Sequence, residues 1–454
     1  MRDNRDSIDF GKTNIRTLFS NLFFPTLLGM LFNMAFILTD GIFVGHGIGG
    51  NGLAAINLVG PIMMLINGLG MMFGIGASVV AAIHLSQHNQ KAARINVTQA
   101  FIAGFATSIL IGTVCYLFPG PILSMLGASG NLLPFAREYY LWFIPTCLVM
   151  MIETIGLFII RLDGSPVYAM MSNIIPAVVN IILDYTFIFP CQWGLMGASL
   201  ATDIGGLIGA AMVMYYMLFR TKTLKFYRLK TTRTSAKLML RNIGYMIKMG
   251  NSGLIGEIAV AVMMLIGNLQ FIHYVGDDGV AAYSVACYLF PLVYMFYNAI
   301  AQSAQPIISY NHGAKNASRV GKTLKFSLLI ASVAGCAIAL VFFFFAPTII
   351  SIFLPDTAPA HSIVAQGLPL YASAFLFMAI NICCVGYYQS IEKGGAASVF
   401  TILRGIVFLT IAFFVLPPLI GVNGLWLALP AAEVLTTATI IFYGIAQHRK
   451  TAIR

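Results

Sequence analysis

The run from Leu18 to Val44, LFSNLFFPTLLGMLFNMAFILTDGIFV, constrains this chain more than any other stretch. It is longer than the roughly 20 apolar residues that a helix needs to cross the hydrocarbon core of a bilayer. Pro25 removes a backbone hydrogen bond from the middle of the predicted helix. Asp40 places a carboxylate in the membrane or at its edge, which makes it a candidate for function. The alternative is that Asp40 lies at the outer interface, where water hydrates it.

The composition extends this interpretation to the whole chain. The 454 residues are 59% hydrophobic and only 9% charged, which excludes a water-soluble surface. The formal net charge of +11 would indicate nucleic-acid binding in a soluble chain, but in a membrane protein Lys and Arg collect in cytoplasmic loops. The seven cysteines lack CxxC spacing, which argues against a disulfide framework and a zinc site. We predict an integral membrane protein that binds no nucleic acid.

Hydrophobic runs separated by polar or Gly/Pro breaks predict twelve membrane-spanning helices. Their approximate limits are 17–44, 53–83, 94–118, 134–160, 166–189, 195–219, 243–272, 279–309, 321–346, 366–390, 396–416 and 423–446. The connections are short, so the sequence leaves no room for an inserted soluble domain.

The basic residues predict how the chain crosses the membrane. If the N-terminus is cytoplasmic, only Arg137 falls outside. The basic residues at cytoplasmic positions are then Arg2, Arg5, Lys12, Arg16, Lys91, Arg94, Arg161, those between Arg220 and Lys248, Lys315, Arg319, Lys322, Lys325, Lys393, Arg404, Arg449, Lys450 and Arg454. The opposite connections carry Asp277, Asp278 and Asp356. We expect a multi-pass protein with both termini in the cytoplasm.

One connection, residues 220–242, is strongly basic and contains no acidic residue. We predict a linker held near anionic lipid headgroups, with a regulatory or partner-binding role as the alternative. It divides the chain into an N-lobe and a C-lobe. The predicted parts are the tail 1–16, the N-lobe 17–219, the linker 220–242, the C-lobe 243–447 and the tail 448–454.

The two halves resemble each other. The segment 76–95, GASVVAAIHLSQHNQKAARI, aligns with 301–320, AQSAQPIISYNHGAKNASRV, and these are the ends of spans two and eight. The segment 44–57, VGHGIGGNGLAAIN, resembles 275–284, VGDDGVAAYS. Six plus six helices in the same orientation predict an all-α membrane protein of two six-helix lobes, related by a pseudo-two-fold axis along the membrane normal. A cleft between such lobes is the expected substrate path.

Several further acidic residues lie inside predicted spans: Glu153, Asp184, Asp203, Glu257 and Glu433. Lysine and arginine are almost absent there, so we expect these acids to lack basic partners. An unpaired buried carboxylate takes up a proton or binds a cation. Coupling to a cation gradient is the simplest explanation.

The most informative local pattern covers spans five and six, PAVVNIILDYTFIFPCQWGLMGASLATDIGG. Asn180 and Asp184 are four residues apart and share one helical face, and Thr202 lies on the next span. Carboxylate, amide and hydroxyl oxygens are hard ligands that suit Na⁺, and the same groups would tune a proton site. The alternative is that they make structural hydrogen bonds between helices.

An ordered set of motifs resembles the MATE family of multidrug and toxic compound extrusion transporters. These motifs are FVGHGIGGNGLAA after span one, NIILD in span five, GLMGASLAT in span six and QSAQPIISYNHGAKN after span eight. In cation-coupled members, the resemblance implies an N-lobe site for H⁺ or Na⁺. The matching positions in this chain are Asp40, Asn180, Asp184 and Thr202.

The fit to the sodium-coupled branch of that family is incomplete. Glu257 falls where that branch carries a C-lobe acid, but span ten, FLFMAINICCVGYY, has no aspartate. Glu257 is therefore a second proton carrier, a counter-charge for substrate, or a hydrogen-bonded structural residue. Glu153, Asp203 and Glu433 stay open, because position along a helix does not show which face a residue occupies.

The resemblance implies a secondary antiporter that exports amphipathic, often cationic organic compounds in exchange for H⁺ or Na⁺. We expect no enzymatic activity and no cofactor, drug-like small molecules and membrane lipid as partners, a monomer, and a place in the bacterial cytoplasmic (inner) membrane. Pro25 is the predicted hinge of span one. Candidate cavity-lining residues are Asn33, Tyr139 and Tyr140.

Two rival functions, a flippase and a membrane enzyme, fit the sequence less well. A lipid-linked precursor flippase has a similar fold, but it is expected to line its cleft with arginines for a pyrophosphate, and the predicted spans hold essentially none. A membrane-embedded enzyme would need a DDxxD, HExxH or GxSxG motif or a histidine pair for a redox group, and the seven histidines lie at span ends or in connections.

Overall fold

A computed structural model describes residues 9–128, 130–230, 232–355 and 357–452. Four residues used to predict the orientation lie outside this described part: Arg2, Arg5, Asp356 and Arg454. Within it, eleven helices are long and apolar enough to cross a membrane, and a pair of helices bent by 45° forms a twelfth span. The twelve predicted spans are therefore confirmed.

We number the spans α1 to α12 along the chain. The first six are α1 Ile15–Gly47, α2 Gly50–Ser86, α3 Gln90–Leu117, α4 Leu133–Leu162, α5 Pro166–Ile188 and α6 Gly194–Arg220. The second six are α7 Arg233–Val275, α8 Asp277–Gly313, α9 Ala317–Phe344, α10 Pro359–Ala372 with Phe375–Ser390, α11 Gly394–Ile420 and α12 Val422–Ala452. Short helices at Pro119–Met125, Gly130–Leu132 and Ala346–Ser351 lie in connections.

Helix α7 begins at Arg233, well before the predicted start near residue 243. Its 43 residues correspond to about 65 Å at 1.5 Å per residue. Because the hydrocarbon core is only about 30 Å thick, a large part of α7 must extend beyond it. The hydrophobic pattern missed this part because Arg233, Lys237 and Arg241 interrupt it.

The contacts group the chain into two compact units. Unit 1 contains residues up to Glu257 together with Ser309–Asn316, and unit 2 contains Ile258–Ile308 and the residues from Ala317. In unit 1, α2 packs against α3 and α4, α4 against α6, and α5 against both α1 and α6. The lobe limits predicted from the sequence stay a prediction.

Unit 1 contains an unusually close helix contact between α2 and the first half of α7. A Cβ added at Gly76 would overlap the carbonyl of Met246, and one at Gly250 would overlap the carbonyl of Met72. Nearby, Nδ2 of Asn242 on α7 donates to Oε1 of Gln99 on α3 at 3.1 Å. Only glycine allows the two helix backbones to approach this closely.

Unit 2 has an aromatic core and a buried ion pair. The rings of Phe271 and Trp426 lie 5.0 Å apart, and those of Phe271 and Tyr283 lie 4.7 Å apart. Nε of Arg404 on α11 donates to Oε1 of Glu433 on α12 at 2.6 Å. The expectation that acids in the spans lack basic partners is therefore wrong for Glu433, because Arg404 on α11 pairs with it.

Candidate functional site

Asp40 lies on the face of α1 that packs against α5. Phe43, three residues further along, contacts the rings of Tyr185 and Phe189 at 6.1 and 5.8 Å. Residues three apart share a helix face, so Asp40 points to the same side, and it is 8% exposed. The predicted cavity residue Asn33 is half-buried and lies two turns earlier on this face. The alternative of a well-hydrated Asp40 does not fit this burial.

Helices α5 and α6 bring the other three predicted residues together. A Cβ at Gly205 would lie only 3.2 Å from Cβ of Asn180, so this glycine lets α6 approach α5 closely. Nδ2 of Asn180 donates to Oγ1 of Thr202 at 3.4 Å, and that hydroxyl donates to the carbonyl of Ala198 at 3.2 Å. Asn180 is 2% exposed and Asp184 is fully buried. The shared face inferred from the spacing is thus present.

Four buried acceptor oxygens of this group receive no hydrogen bond from any described residue: Oδ1 of Asp40, Oδ1 of Asn180, and both carboxylate oxygens of Asp184. Asp40 and Asp184 interact electrostatically. Burying an acceptor without a donor costs free energy, and burying a bare charge costs far more. The donor set, two carboxylates with an amide oxygen and a hydroxyl, suits a proton or a hard cation such as Na⁺.

Tyr139 and Tyr140, predicted together as cavity-lining residues, have different surroundings. Tyr139 interacts electrostatically with Asp40, Asp184 and Asp203, so it belongs to the acidic group. Tyr140 donates its hydroxyl to the carbonyl of Cys115 at 2.9 Å and thereby ties α4 to α3. The two tyrosines are adjacent in sequence, so their side chains leave the helix about 100° apart.

Two further acids of unit 1 lie between α4 and α6. Asp203 accepts a hydrogen bond from the hydroxyl of Thr146, a residue that the sequence did not single out. The carboxylate of Glu153 lies against Gly209. The only sequence signal for Thr146 was a hydroxyl in an apolar span. Asp203 is the closer of the two to the candidate site in sequence, since it directly follows Thr202.

Glu257 on α7 accepts a hydrogen bond from Nδ2 of Asn67 on α2 at 3.3 Å. Its Cβ lies 3.2 Å from the position that a Cβ of Gly68 would take. Glu257 therefore has a polar partner within unit 1, whereas Glu433 has its partners in unit 2. Glu257 is thus hydrogen-bonded to an amide, whereas Glu433 forms an ion pair with an arginine.

Pro25 lies within α1, which continues as one helix from Ile15 to Gly47. The hinge assigned to it stays a prediction. The hydroxyl of Thr26, the next residue, is buried and has no hydrogen-bond partner among the described residues.

Within the described part of the chain, no three His, Cys, Asp or Glu side chains are grouped as ligands of a metal ion. A site with two carboxylates, one amide and one hydroxyl differs from such a transition-metal centre in ligand type and charge.

Comparisons with known proteins extend this description. The family model MatE matches residues 25–186 and 254–416. The protein named Multidrug export protein MepA, from Staphylococcus aureus (strain MRSA252), is 23% identical over 444 residues, which cover 97% of this chain and 96% of that protein.

Solved structures show the same fold. A MATE protein in complex with MaL6 has a TM-score of 0.89 at 19% identity and covers 98% of this chain and 99% of its own. An outward-facing multidrug resistance MATE family transporter has a TM-score of 0.87 at 20% identity, covering 98% of both chains. At these identities the likeness concerns the fold alone. It confirms the predicted fold class of an all-α membrane protein with two lobes.

Proposed function

The chain belongs to the MatE family, and we propose that it is a secondary antiporter that exports amphipathic, often cationic organic compounds in exchange for H⁺ or Na⁺. The observation that carries the proposal is the group of four unpaired buried oxygens on Asp40, Asn180 and Asp184. The relative named Multidrug export protein MepA supports the class of substrate.

The coupling follows from electrostatics. Two carboxylates in a low-dielectric interior repel each other strongly, so Asp40 and Asp184 are not both ionised at low cost. A proton or Na⁺ arriving from outside removes that repulsion, and the pair then titrates as one unit. Because Asp40 lies on α1 and Asp184 on α5, loading the pair changes the force between these two helices.

Movement of α1 would convert that force into transport. Pro25 lacks a backbone N–H, so α1 bends there at a lower cost than elsewhere. We propose that loading of Asp40 favours a bent α1 that releases the exported compound outward. Unloading to the cytoplasm restores the straight helix.

The energy of one cation is sufficient for useful export. One elementary charge moving down ~100 mV releases about 2.3 kcal/mol. A tenfold ion gradient adds about 1.4 kcal/mol. Together they support a gradient of roughly a few hundredfold for an exported compound that carries no charge.

The flippase alternative is weakened by the contacts of Arg404, a buried arginine within α11. Arg404 donates to Glu433, and its guanidinium lies 5.6 Å from the ring centroid of Tyr294. Its charge is therefore already compensated, so it is a poor partner for a pyrophosphate.

Transport in proteoliposomes tests the proposal. We expect Asp40→Asn to abolish accumulation of a cationic dye driven by an imposed ΔpH or ΔNa⁺, because the variant removes the ionisable group but keeps the shape. Asp278→Asn, at an exposed carboxylate, is the matched control and should transport normally. Running each gradient alone identifies the coupling ion. Full coupled transport by Asp40→Asn would exclude this coupling site.

A further inference from the structure

The connection after α6 has irregular backbone but is packed against unit 1 rather than being a loose linker. We call residues 221–230, TKTLKFYRLK, the basic strand, meaning a length of chain and not a β-strand. Asp163, directly after α4, accepts hydrogen bonds from the backbone N–H groups of Lys222, Thr223 and Leu224 at 2.8, 2.9 and 3.0 Å. Its carboxylate also accepts the hydroxyl of Tyr216 at 2.8 Å. One buried carboxylate thus fixes the start of the strand.

Helix α3 holds the strand at further points. Nε of Arg94 donates to the carbonyl of Thr223 at 2.7 Å, and Oγ1 of Thr98 accepts from the backbone N–H of Tyr227 at 2.9 Å. The rings of Phe101 and Phe226 meet edge to face at 5.2 Å. These contacts all lie within unit 1, so the strand is part of the packed structure of that unit.

This attachment determines where the cations point. Thr221 and Leu224 are buried. The exposed residues of the strand are all basic: Lys222, Lys225, Arg228 and Lys230. In an extended chain, residues three apart lie about 10 Å from each other, close to the Debye length at physiological salt. The exposed cations therefore form a row of positive charge along the strand.

Between Asp203 and Glu257 the sequence contains no acidic residue, and the Asp163 carboxylate is engaged by the backbone N–H groups of the strand. The cations continue into α7 with Arg233, Lys237 and Arg241, and Lys91 lies over the ring of Tyr227 at 5.8 Å. Exposed apolar side chains precede and follow the basic strand in the sequence. They are Leu218, Phe219, Leu238 and Leu240, exposed by 58%, 74%, 43% and 72%. Cations next to exposed apolar groups are typical of a protein surface at the boundary between headgroups and acyl chains.

We propose that the basic strand is a binding surface for anionic phospholipid headgroups, assembled by the Asp163 carboxylate. The lysine and arginine side chains donate to phosphate oxygens, while the neighbouring leucines and Phe219 contact the acyl chains. The apolar border favours a lipid over a soluble polyanion. The surface depends on the membrane assignment and does not depend on the transport mechanism.

Native mass spectrometry of the purified full chain, with equimolar phosphatidylglycerol and phosphatidylcholine, tests the proposal. The variant Lys222→Gln/Lys225→Gln/Lys230→Gln should retain several-fold less phosphatidylglycerol than the wild type. The control Lys315→Gln/Lys322→Gln/Lys325→Gln removes the same charge from exposed positions elsewhere and should bind normally. Equal losses in both variants would mean general attraction and would overturn the proposal.

A second pair of variants separates an assembled surface from simple charge. Asp163→Asn removes one negative charge and so raises the net charge by one. An effect of charge alone would increase the amount of phosphatidylglycerol bound, whereas loss of the backbone anchor would decrease it. Thr98→Val releases Tyr227 without any change in charge and should also reduce binding. Gel filtration and thermal unfolding identify variants that fold. Unchanged or increased binding in folded Asp163→Asn and Thr98→Val would contradict the proposal, as would displacement of the lipid by millimolar inorganic phosphate.

Discussion

Thr202 shows how one hydroxyl organises the candidate site. Its Oγ1 accepts from Asn180 and donates to the carbonyl of Ala198. This directs the amide nitrogen of Asn180 to Thr202 and leaves the amide oxygen free to serve as a cation ligand. The oxygen is therefore available because the nitrogen is already engaged.

We expect Thr202→Val to weaken the apparent affinity for the coupling ion. The substitution keeps the shape but removes the acceptor of Asn180, which costs about 1 kcal/mol, or roughly fivefold in affinity. Thr202→Ser, which keeps the hydroxyl, is the control and should stay close to wild type. The measurement is the concentration of Na⁺ or H⁺ that gives half-maximal transport. Identical values for both variants would argue against a role of the Asn180 orientation.

Single residues also decide how closely helices approach. Gly250 has the backbone carbonyl of Met72 where a Cβ would lie, whereas Gly244, on the same helix, has no atom within 4 Å of that position. We expect Gly250→Ala to force α2 and α7 apart and to destabilise the protein by about 1–3 kcal/mol. Gly244→Ala should be neutral or stabilising by up to about 1 kcal/mol. Thermal unfolding in detergent compares them, and equal melting temperatures would refute the close contact.

At the scale of elements, a charged network joins three spans of unit 2. Glu433 on α12 receives Arg404 from α11 at 2.6 Å and Nδ2 of Asn381 from α10 at 2.7 Å. Thr437, one turn after Glu433, donates to Oδ1 of Asn381 at 2.9 Å. Helix α11 has a π-helical turn at Leu403–Val407, which includes Arg404. Such turns are frequent at functional sites, and here the turn contains the arginine of the network.

The network predicts a strong non-additivity. Arg404→Met leaves the Glu433 charge buried and unpaired, which should cost about 3–5 kcal/mol. Adding Glu433→Gln removes that charge and keeps an acceptor for Asn381, so the double variant should be more stable than Arg404→Met alone. A double-mutant cycle by thermal unfolding measures the coupling. Purely additive effects would show that the two side chains do not act as a pair.

At the scale of the whole molecule, the predicted orientation places the connection between α5 and α6 outside and the one between α8 and α9 inside. Cys191 lies in the first and is exposed, and Lys315 lies in the second and is also exposed. A membrane-impermeant maleimide added to intact cells should label Cys191. Lys315→Cys in a Cys191→Ser background should react only after the membrane is permeabilised. The reverse pattern would invert the topology.

The sequence by itself determined the membrane environment, the twelve spans and the family resemblance. Hydropathy, charge bias and repeated motifs can be recognised in short segments of sequence. Each membrane-spanning helix must satisfy its own backbone hydrogen bonds and be apolar along its length, so it can be predicted separately. Even the shared face of Asn180 and Asp184 needed only helical periodicity. The expectation of unpaired acids failed at Glu433, because its partner Arg404 lies on another helix and no local pattern links the two residues.

Only the tertiary structure decided which polar groups meet. The carboxylate of Asp163 binds backbone groups 59 to 61 residues away, and Glu433 is paired with an arginine 29 residues earlier in the chain. Asp40 interacts electrostatically with Asp184, which lies on a helix four spans further along the chain. Such contacts depend on how helix faces pack in three dimensions, and no single helical pattern contains that information. The Leu18–Val44 run thus predicted a buried acid, and the fold supplied its partners.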